Sequence, residues 1–233
     1  MKKLSFQLFF IFSFSAHADG FGINATRLIY KQGEKSINTE VRNTTTGDTY
    51  LVSASVIGTS EGKQSRYFIV TPPLFRLEAG ETNKIRISML NADLPHDRES
   101  LFFFKATAIP SAKEKKKNAK EDQTFGAVKF GVSNIIKLFY RPDGLHSSPE
   151  DAQRKLRFVP EKNGIKVTND SPYYVSFSSI RIDSHYVNLS KAADLMLPPF
   201  SHHVYATTWH KGNVVWRTIN DNGGINAYSQ KIH

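Results

Sequence analysis

Apolar and polar positions alternate along most of this chain. The clearest run is Val128, Phe130 and Val132, with Lys129, Gly131 and Ser133 between them. A period of two is that of a β-strand with one apolar face. The run leads directly into Asn134-Ile135-Ile136-Lys137-Leu138-Phe139-Tyr140-Arg141-Pro142. Such a strand either faces its own core or is lent to another protein. Further short strands are predicted upstream at 26–30, 37–41, 50–57, 68–71, 83–90 and 101–108, each rich in β-branched or aromatic residues. Turns are expected at Gly33, Thr46-Gly47-Asp48, Glu61-Gly62 and Ala79-Gly80-Glu81. No segment carries a sustained helical period with caps. Many short strands with frequent turns predict an all-β protein built from β-sandwiches.

The pattern breaks at Arg141-Pro142-Asp143-Gly144. Proline cannot continue a central strand, and Asp-Gly favours a turn. The polar, breaker-rich stretch from Leu145 to Asp151 follows, and the domain boundary is placed there. A second strand set is predicted at 156–160, 164–168, 173–182, 185–189, 203–208, 214–219 and 227–232. The expected organisation is a leader at 1–18, one immunoglobulin-like domain over 19–143 and a second over 144–233.

The leader changes the picture of where the protein works. Lys2 and Lys3 precede an apolar stretch at 4–14 that is too short to span a bilayer comfortably. Ala16-His17-Ala18 fits a small-x-small cleavage site, which predicts export and a mature start at Asp19. No later segment is long and apolar enough for a transmembrane helix, so a soluble protein without membrane insertion is expected. There are no cysteines, so an exported fold must rest on its cores.

The formal net charge is +10, of which the leader lysines contribute two. A basic protein attracts acidic partners. Export argues against nucleic acid and for a partner carrying carboxylates. The run from Lys113 to Lys120 reads as a solvated loop rather than a binding patch. Asn-x-Ser/Thr patterns at Asn24, Asn43, Asn169 and Asn188 are too short to argue for glycosylation.

Enzyme chemistry finds no support. Gly58-Thr59-Ser60-Glu61-Gly62 matches a nucleophile elbow, but that motif needs a following helix, and the chain runs instead into Pro72-Pro73. Ser60 is therefore read as part of a hairpin turn. His202 and His203 are adjacent, so on a strand they point to opposite faces and cannot readily share a metal. No Walker loop, dinucleotide fingerprint or EF-hand occurs. No metal and no cofactor are expected.

Six strings occur in order along the chain: Thr26-Arg27-Leu28-Ile29-Tyr30, Phe68-Ile69-Val70-Thr71-Pro72-Pro73-Leu74-Phe75-Arg76-Leu77, Asp97-Arg98-Glu99-Ser100-Leu101, Ile136-Lys137-Leu138-Phe139-Tyr140-Arg141-Pro142, Asn169-Asp170-Ser171-Pro172-Tyr173-Tyr174 and Ile219-Asn220-Asp221-Asn222-Gly223-Gly224. In order and spacing they resemble the PapD-like periplasmic chaperones of the chaperone–usher pathway, which assemble pili and other fimbrial surface fibres. The resemblance covers essentially the whole chain after the leader. It implies two immunoglobulin-like β-sandwiches arranged in an L with a cleft between them. It implies periplasmic localisation, fimbrial subunits and an outer-membrane usher as partners, and no enzymatic activity.

Residue by residue, the resemblance places a carboxylate-binding pair at Arg27 and Lys137, for the C-terminus of the bound subunit. It makes Val128, Phe130 and Val132 the side chains donated to a subunit groove, the subunit being a sandwich that lacks a strand. Glu99, Arg141 and Asp221 match a charge network near the domain interface. One departure stands out. The long-loop subfamily carries a disulfide between the last two strands of the first domain, and its positions are Lys105 and Ile135 here. Several phrases match that subfamily, so the assignment between short-loop and long-loop branches stays open. The competing reading is an immunoglobulin-like adhesive or structural surface protein, which needs no Arg/Lys pair.

Overall fold

The computed structural model describes residues 20–59, 62–90, 93–111 and 130–233. The leader, Ser60, the 113–120 lysine run and Val128 lie outside these described residues. The first part of the chain forms β1 (Phe21–Ile23), β2 (Arg27–Lys31), β3 (Ile37–Asn43), β4 (Tyr50–Ile57), β5 (Phe68–Thr71), β6 (Leu74–Leu77), β7 (Thr82–Met89), β8 (Ser100–Pro110) and β9 (Val132–Arg141). They make two sheets, ordered β1-β3-β7-β5 and β2-β9-β8-β4-β6. Alternation explains the layering. Phe102, Phe104, Ala106 and Ala108 of β8 turn inward, as do Val52, Ala54 and Val56 of β4. They meet Val41, Ile85 and Ile87 from the other sheet in one core.

The second part begins with a short helix, α1 (Pro149–Arg154), followed by β10 (Arg157–Glu161), β11 (Gly164–Asn169), β12 (Val175–Ile182), β13 (His185–Tyr186), β14 (Met196–Leu197), β15 (Ser201–Ala206), β16 (Gly212–Ile219) and β17 (Ile225–Ile232). One sheet runs β10-β11-β15 and the other β13-β12-β16-β17, with β14 also on β12. Phe158, Val167, Phe177, Ile180, Tyr205 and Trp216 fill the space between them. The Phe158 and Trp216 rings pack at a tilt with centroids 4.6 Å apart.

The helix α1 corrects the expectation of a helix-free chain. Six residues are too few to show a period. The start signals were nevertheless present: Ser148 caps the helix through Asp151 N, Pro149 occupies the first turn, and Glu150 and Asp151 face the positive helix end. Its Gln153 is buried, and the backbone oxygen accepts from Trp216 Nε1 at 2.8 Å. The Gln153 side-chain oxygen accepts from Thr218 Oγ1 at 2.7 Å and Asn226 Nδ2 at 3.1 Å. The stretch expected to link two domains thus carries a peg of the second core.

Both sandwiches share one turn device. Asn43, at the end of β3, and Asn169, at the end of β11, are each 1% exposed. Asn43 Nδ2 donates to the carbonyls of Asp48 (2.7 Å) and Glu78 (3.0 Å). Asn169 Nδ2 donates to those of Tyr173 (2.7 Å) and Pro198 (2.9 Å). In each, the residue two places on closes the turn with its hydroxyl: Thr45 to Asn43 Oδ1 at 2.7 Å, Ser171 to Asn169 Oδ1 at 2.6 Å. Two of the four Asn-x-Ser/Thr patterns are therefore turn clamps with buried amides.

Candidate functional site

The site lies where the two sandwiches meet. β2 is paired with β9 in parallel, and the register sets Arg27 beside Lys137. The pairing covers only Lys137 to Arg141 of β9. Upstream of Arg27 the chain crosses to the other sheet, where β1 pairs with β3. Among the described residues this crossing leaves the edge of β9 from 132 to 136 without a strand partner, apart from a side-chain bond from Asn134 Nδ2 to Phe21 O at 3.0 Å.

Both cations reach toward the second sandwich. Arg27 Nη1 donates to Ile219 O at 2.8 Å, and Lys137 Nζ bonds Ser176 Oγ at 3.1 Å. Arg27 Nε is buried without a hydrogen-bond partner. Burial lowers the Arg27 pKa, opposed by the charges of Asp221 and Glu99. Burial, and then the neighbouring Arg27, bring the Lys137 ammonium down to a pKa of about 8. Among the described residues no carboxylate is hydrogen-bonded to either group. The arrangement is a half-buried positive pair with a spare donor, suited to an anion with two oxygen acceptors.

Next to it stands the charge network. Arg141 Nε donates to Glu99 Oε1 at 2.7 Å, and its two terminal nitrogens donate to the Asp221 carboxylate at 2.7 and 3.0 Å. Glu99 Oε2 accepts from Tyr174 N at 2.8 Å. Arg141 and Glu99 come from β9 and the approach to β8, while Asp221 and Tyr174 belong to the second sandwich. Arg141 also lies over the Tyr173 ring at 5.2 Å. Glu99 is 3% exposed. Burial pushes its carboxyl pKa up, against the pull of Arg141 and the Tyr174 N–H. The structure therefore brings Glu99, Arg141 and Asp221 together across the contact. Gly223 fits close beside: a Cβ there would stand 2.3 Å from Thr26 Oγ1.

Of the three alternating residues, Val132 opens β9 opposite Ala108. Phe130 precedes the strand and is 79% exposed, and Val132 is 47% exposed. The core ends lower on the strand, at Ile136 and Leu138. Among the described residues the β8–β9 ladder runs up to the Val132–Ala108 rung, while β8 itself continues to Pro110. Phe130 does not fill the core of its own sandwich. Lys105 and Ile135 are direct cross-strand partners of β8 and β9.

Sequence reasoning missed Ser176, Tyr174 N and Ile219 O. The last two are backbone groups, which no residue type announces. Ser176 is one of many serines, and only the fold sets it against Lys137. The elbow-like Ser60 lies outside the described residues; around it, Ile57 bridges Gln64 and the chain goes on to β5. His203 Nε2 meets Asp194 Oδ1 at 2.9 Å, and no metal-binding cluster occurs among the described residues.

Comparison with known proteins matches this architecture along the chain. Residues 20–146 match the family described as pili and flagellar-assembly chaperone, PapD N-terminal domain, and residues 151–230 match the pili assembly chaperone PapD C-terminal domain. The probable fimbrial chaperone ElfD of Escherichia coli K12 is 35% identical over 213 residues, covering 91% of this chain and 86% of ElfD. The crystal structure of the periplasmic chaperone SfaE aligns with a TM-score of 0.75 and 30% identity, over 91% of this chain and all of that one. A chain from the Salmonella enterica SafA pilin–SafB chaperone complex aligns with a TM-score of 0.76 and 29% identity, over 94% of this chain and 99% of that one. The chain belongs to the PapD-like family of pilus-assembly chaperones. Members of this family are assembly proteins of the chaperone–usher pathway, not enzymes, and they work in the periplasm. The relatives favour this reading over an adhesive surface protein.

Proposed function

We propose that this protein captures fimbrial subunits in the periplasm by holding their C-terminal carboxylate between Arg27 and Lys137. The observation that carries the proposal is the shared rung of these two cations, half-buried at the end of an open strand edge. A subunit chain anchored there lies along β9 over 132–136, and its backbone pairs with the open edge. Phe130 and Val132, with Val128, enter the subunit's groove. An incomplete sandwich exposes a groove and unpaired backbone, which invite aggregation. One donated strand covers both.

The network of Glu99, Arg141 and Asp221 holds the two sandwiches at the angle that keeps the anchor open. Buried ion pairs of this kind contribute more to geometry than to net stability. The capped subunit then passes to an outer-membrane usher. The working protein is the chain after removal of residues 1–18, with domains 19–143 and 144–233. Co-purification from periplasm tests the reading. The wild-type protein should carry a fimbrial subunit, and Arg27→Ala and Lys137→Ala should each come out empty. Subunit retained by both variants rejects the anchor.

A further inference from the structure

We propose that Lys105 is a specificity-determining residue, which selects subunits bearing an acidic side chain among the residues just before their C-terminus. The inference rests on the carboxylate anchor proposed above. The register of β8 and β9 sets Phe103 opposite Lys137 and Lys105 opposite Ile135. Residues two apart share a face. Lys105 therefore stands on the same outer face as Lys137, two residues along, while Phe104 and Ala106 turn into the core.

Among the described residues nothing on this face neutralises Lys105. Its partner on the β4 side is Ser55 and on the β9 side Ile135. Cross-strand neighbours often carry opposite charge, yet both flanking positions here are uncharged. Among the described residues no hydrogen bond or ion pair involves its ammonium. The nearest charges in the ladder are cations, Lys137 and Arg27.

The direction of the bound chain follows from the open edge. β2 blocks β9 from Lys137 onward, so a chain ending at the anchor has only 132–136 to lie against. Its carboxyl end sits at Lys137, so it runs in the same direction as β9. At about 3.3 Å per residue, its side chains before the terminus pass Ile135. Two strand spacings of about 4.8 Å separate that chain from Lys105. A lysine stem and an opposing glutamate span such a gap together over the half-exposed Ile135.

Calorimetric titration with synthetic peptides tests this. The probes are strands of alternating Val and Thr with a free carboxyl end, in which Glu or Gln replaces each of the last few residues in turn. At one position Glu should bind up to about fivefold more tightly than Gln, the range expected of a partly exposed ion pair. Lys105→Met should abolish that preference and leave the Gln peptides unaffected. Lys105→Glu should reverse it. The absence of a preferred position, or a preference that survives Lys105→Met, overturns the proposal. C-terminal amidation separates the two readings: it should abolish binding through the anchor whatever stands at 105. If amidated peptides bind equally well, the anchor fails, while the Glu/Gln contrast still reports on Lys105. Failure of every peptide to bind rejects both.

Discussion

Arg27 and Lys137 occupy one rung of the parallel β2–β9 pair. Two cations are thereby fixed side by side, partly out of water, by backbone register alone. Each raises the cost of the other's charge, and Arg27 contributes to the depressed Lys137 pKa. An incoming carboxylate relieves both. On the reading proposed above, the pair is poised for an anion before any anion arrives.

The first prediction concerns the loss of either cation. Arg27→Ala or Lys137→Ala should weaken binding of a carboxyl-ended subunit peptide by about 2–5 kcal/mol, the cost of breaking a hydrogen-bonded charge pair at an interface. The folded state should survive, since neither side chain belongs to the core. Titration calorimetry beside thermal melts distinguishes lost capture from lost fold.

Lys137 also sets a pH dependence. Its pKa is about 8 in the folded protein against an ordinary 10.5. Between those values the unfolded chain holds a proton that the folded chain has released. Stability from this group therefore rises with pH across that window, because the unfolded state binds more protons. Lys137→Met should flatten that part of the difference in melting temperature between the two proteins. Capture has the opposite slope. It needs the ammonium, so affinity for a carboxylate should be level near pH 7 and fall above pH 8, and should lose that dependence in Lys137→Met. A wild-type affinity constant to pH 10 would refute the role of the ammonium.

Phe130 gives a test of two faces. It is 79% exposed, so Phe130→Asp should alter the stability of the free protein by no more than about 0.5 kcal/mol. In the presence of subunits it should be severe, because a charge then enters an apolar groove. Ser133 lies on the other face, where its hydroxyl meets Thr107 Oγ1 at 2.8 Å. Ser133→Asp should be much milder. Periplasmic subunit levels measure the contrast, and equal losses for both variants would exclude strand donation.

The legible parts of this protein were those governed by repetition. β4 and β5 fall on the residues where alternation placed them, 50–57 and 68–71. β1 did not show, since it has only three residues, and β6 did not show because it follows β5 directly across Pro72-Pro73. The helix α1 was too short to show a period, although its start signals were present. At the site, Arg27, Lys137, Glu99, Arg141 and Asp221 were named through family resemblance, not through periodicity. Charge alone does not distinguish them from the many other lysines, arginines and acids. What sets them apart is register and burial, and both are long-range properties: Arg141 and Asp221 are 80 residues apart in sequence. The asparagine clamps illustrate the converse. The Asn-x-Ser/Thr spacing was visible, but its meaning depended on Asn43 and Asn169 being buried.

Those clamps carry a stability prediction. Asn169→Ala removes the amide that satisfies the Tyr173 and Pro198 carbonyls and leaves Ser171 without its acceptor. Each buried polar group left unsatisfied costs about 1–3 kcal/mol. Asn169→Ala should therefore lower the denaturation midpoint clearly. Asn188→Ala, in an exposed Asn-x-Ser pattern, should not. Equal midpoints for the two variants would show that the clamp contributes little.

The charge network separates stability from geometry. Arg141→Ala leaves Glu99 buried with only the Tyr174 N–H to meet its charge. Removing one partner of a buried pair costs about 3–5 kcal/mol. The double change Glu99→Leu with Arg141→Met removes the uncompensated charge as well as the pair. Such replacements are often neutral or stabilising. The double variant should therefore melt near the wild-type temperature, although it has lost the contacts to Asp221 and Tyr174 that cross between the sandwiches. If the network sets the interdomain angle, small-angle scattering should show a broader spread of shapes for the double variant. Its peptide affinity should fall, since Arg27 and Lys137 reach Ile219 and Ser176 on the other sandwich only at the present angle. Wild-type scattering and affinity in a stable double variant would show that the network is dispensable for orientation, and that the Phe139–Tyr174 and Arg98–Phe200 contacts hold the angle instead.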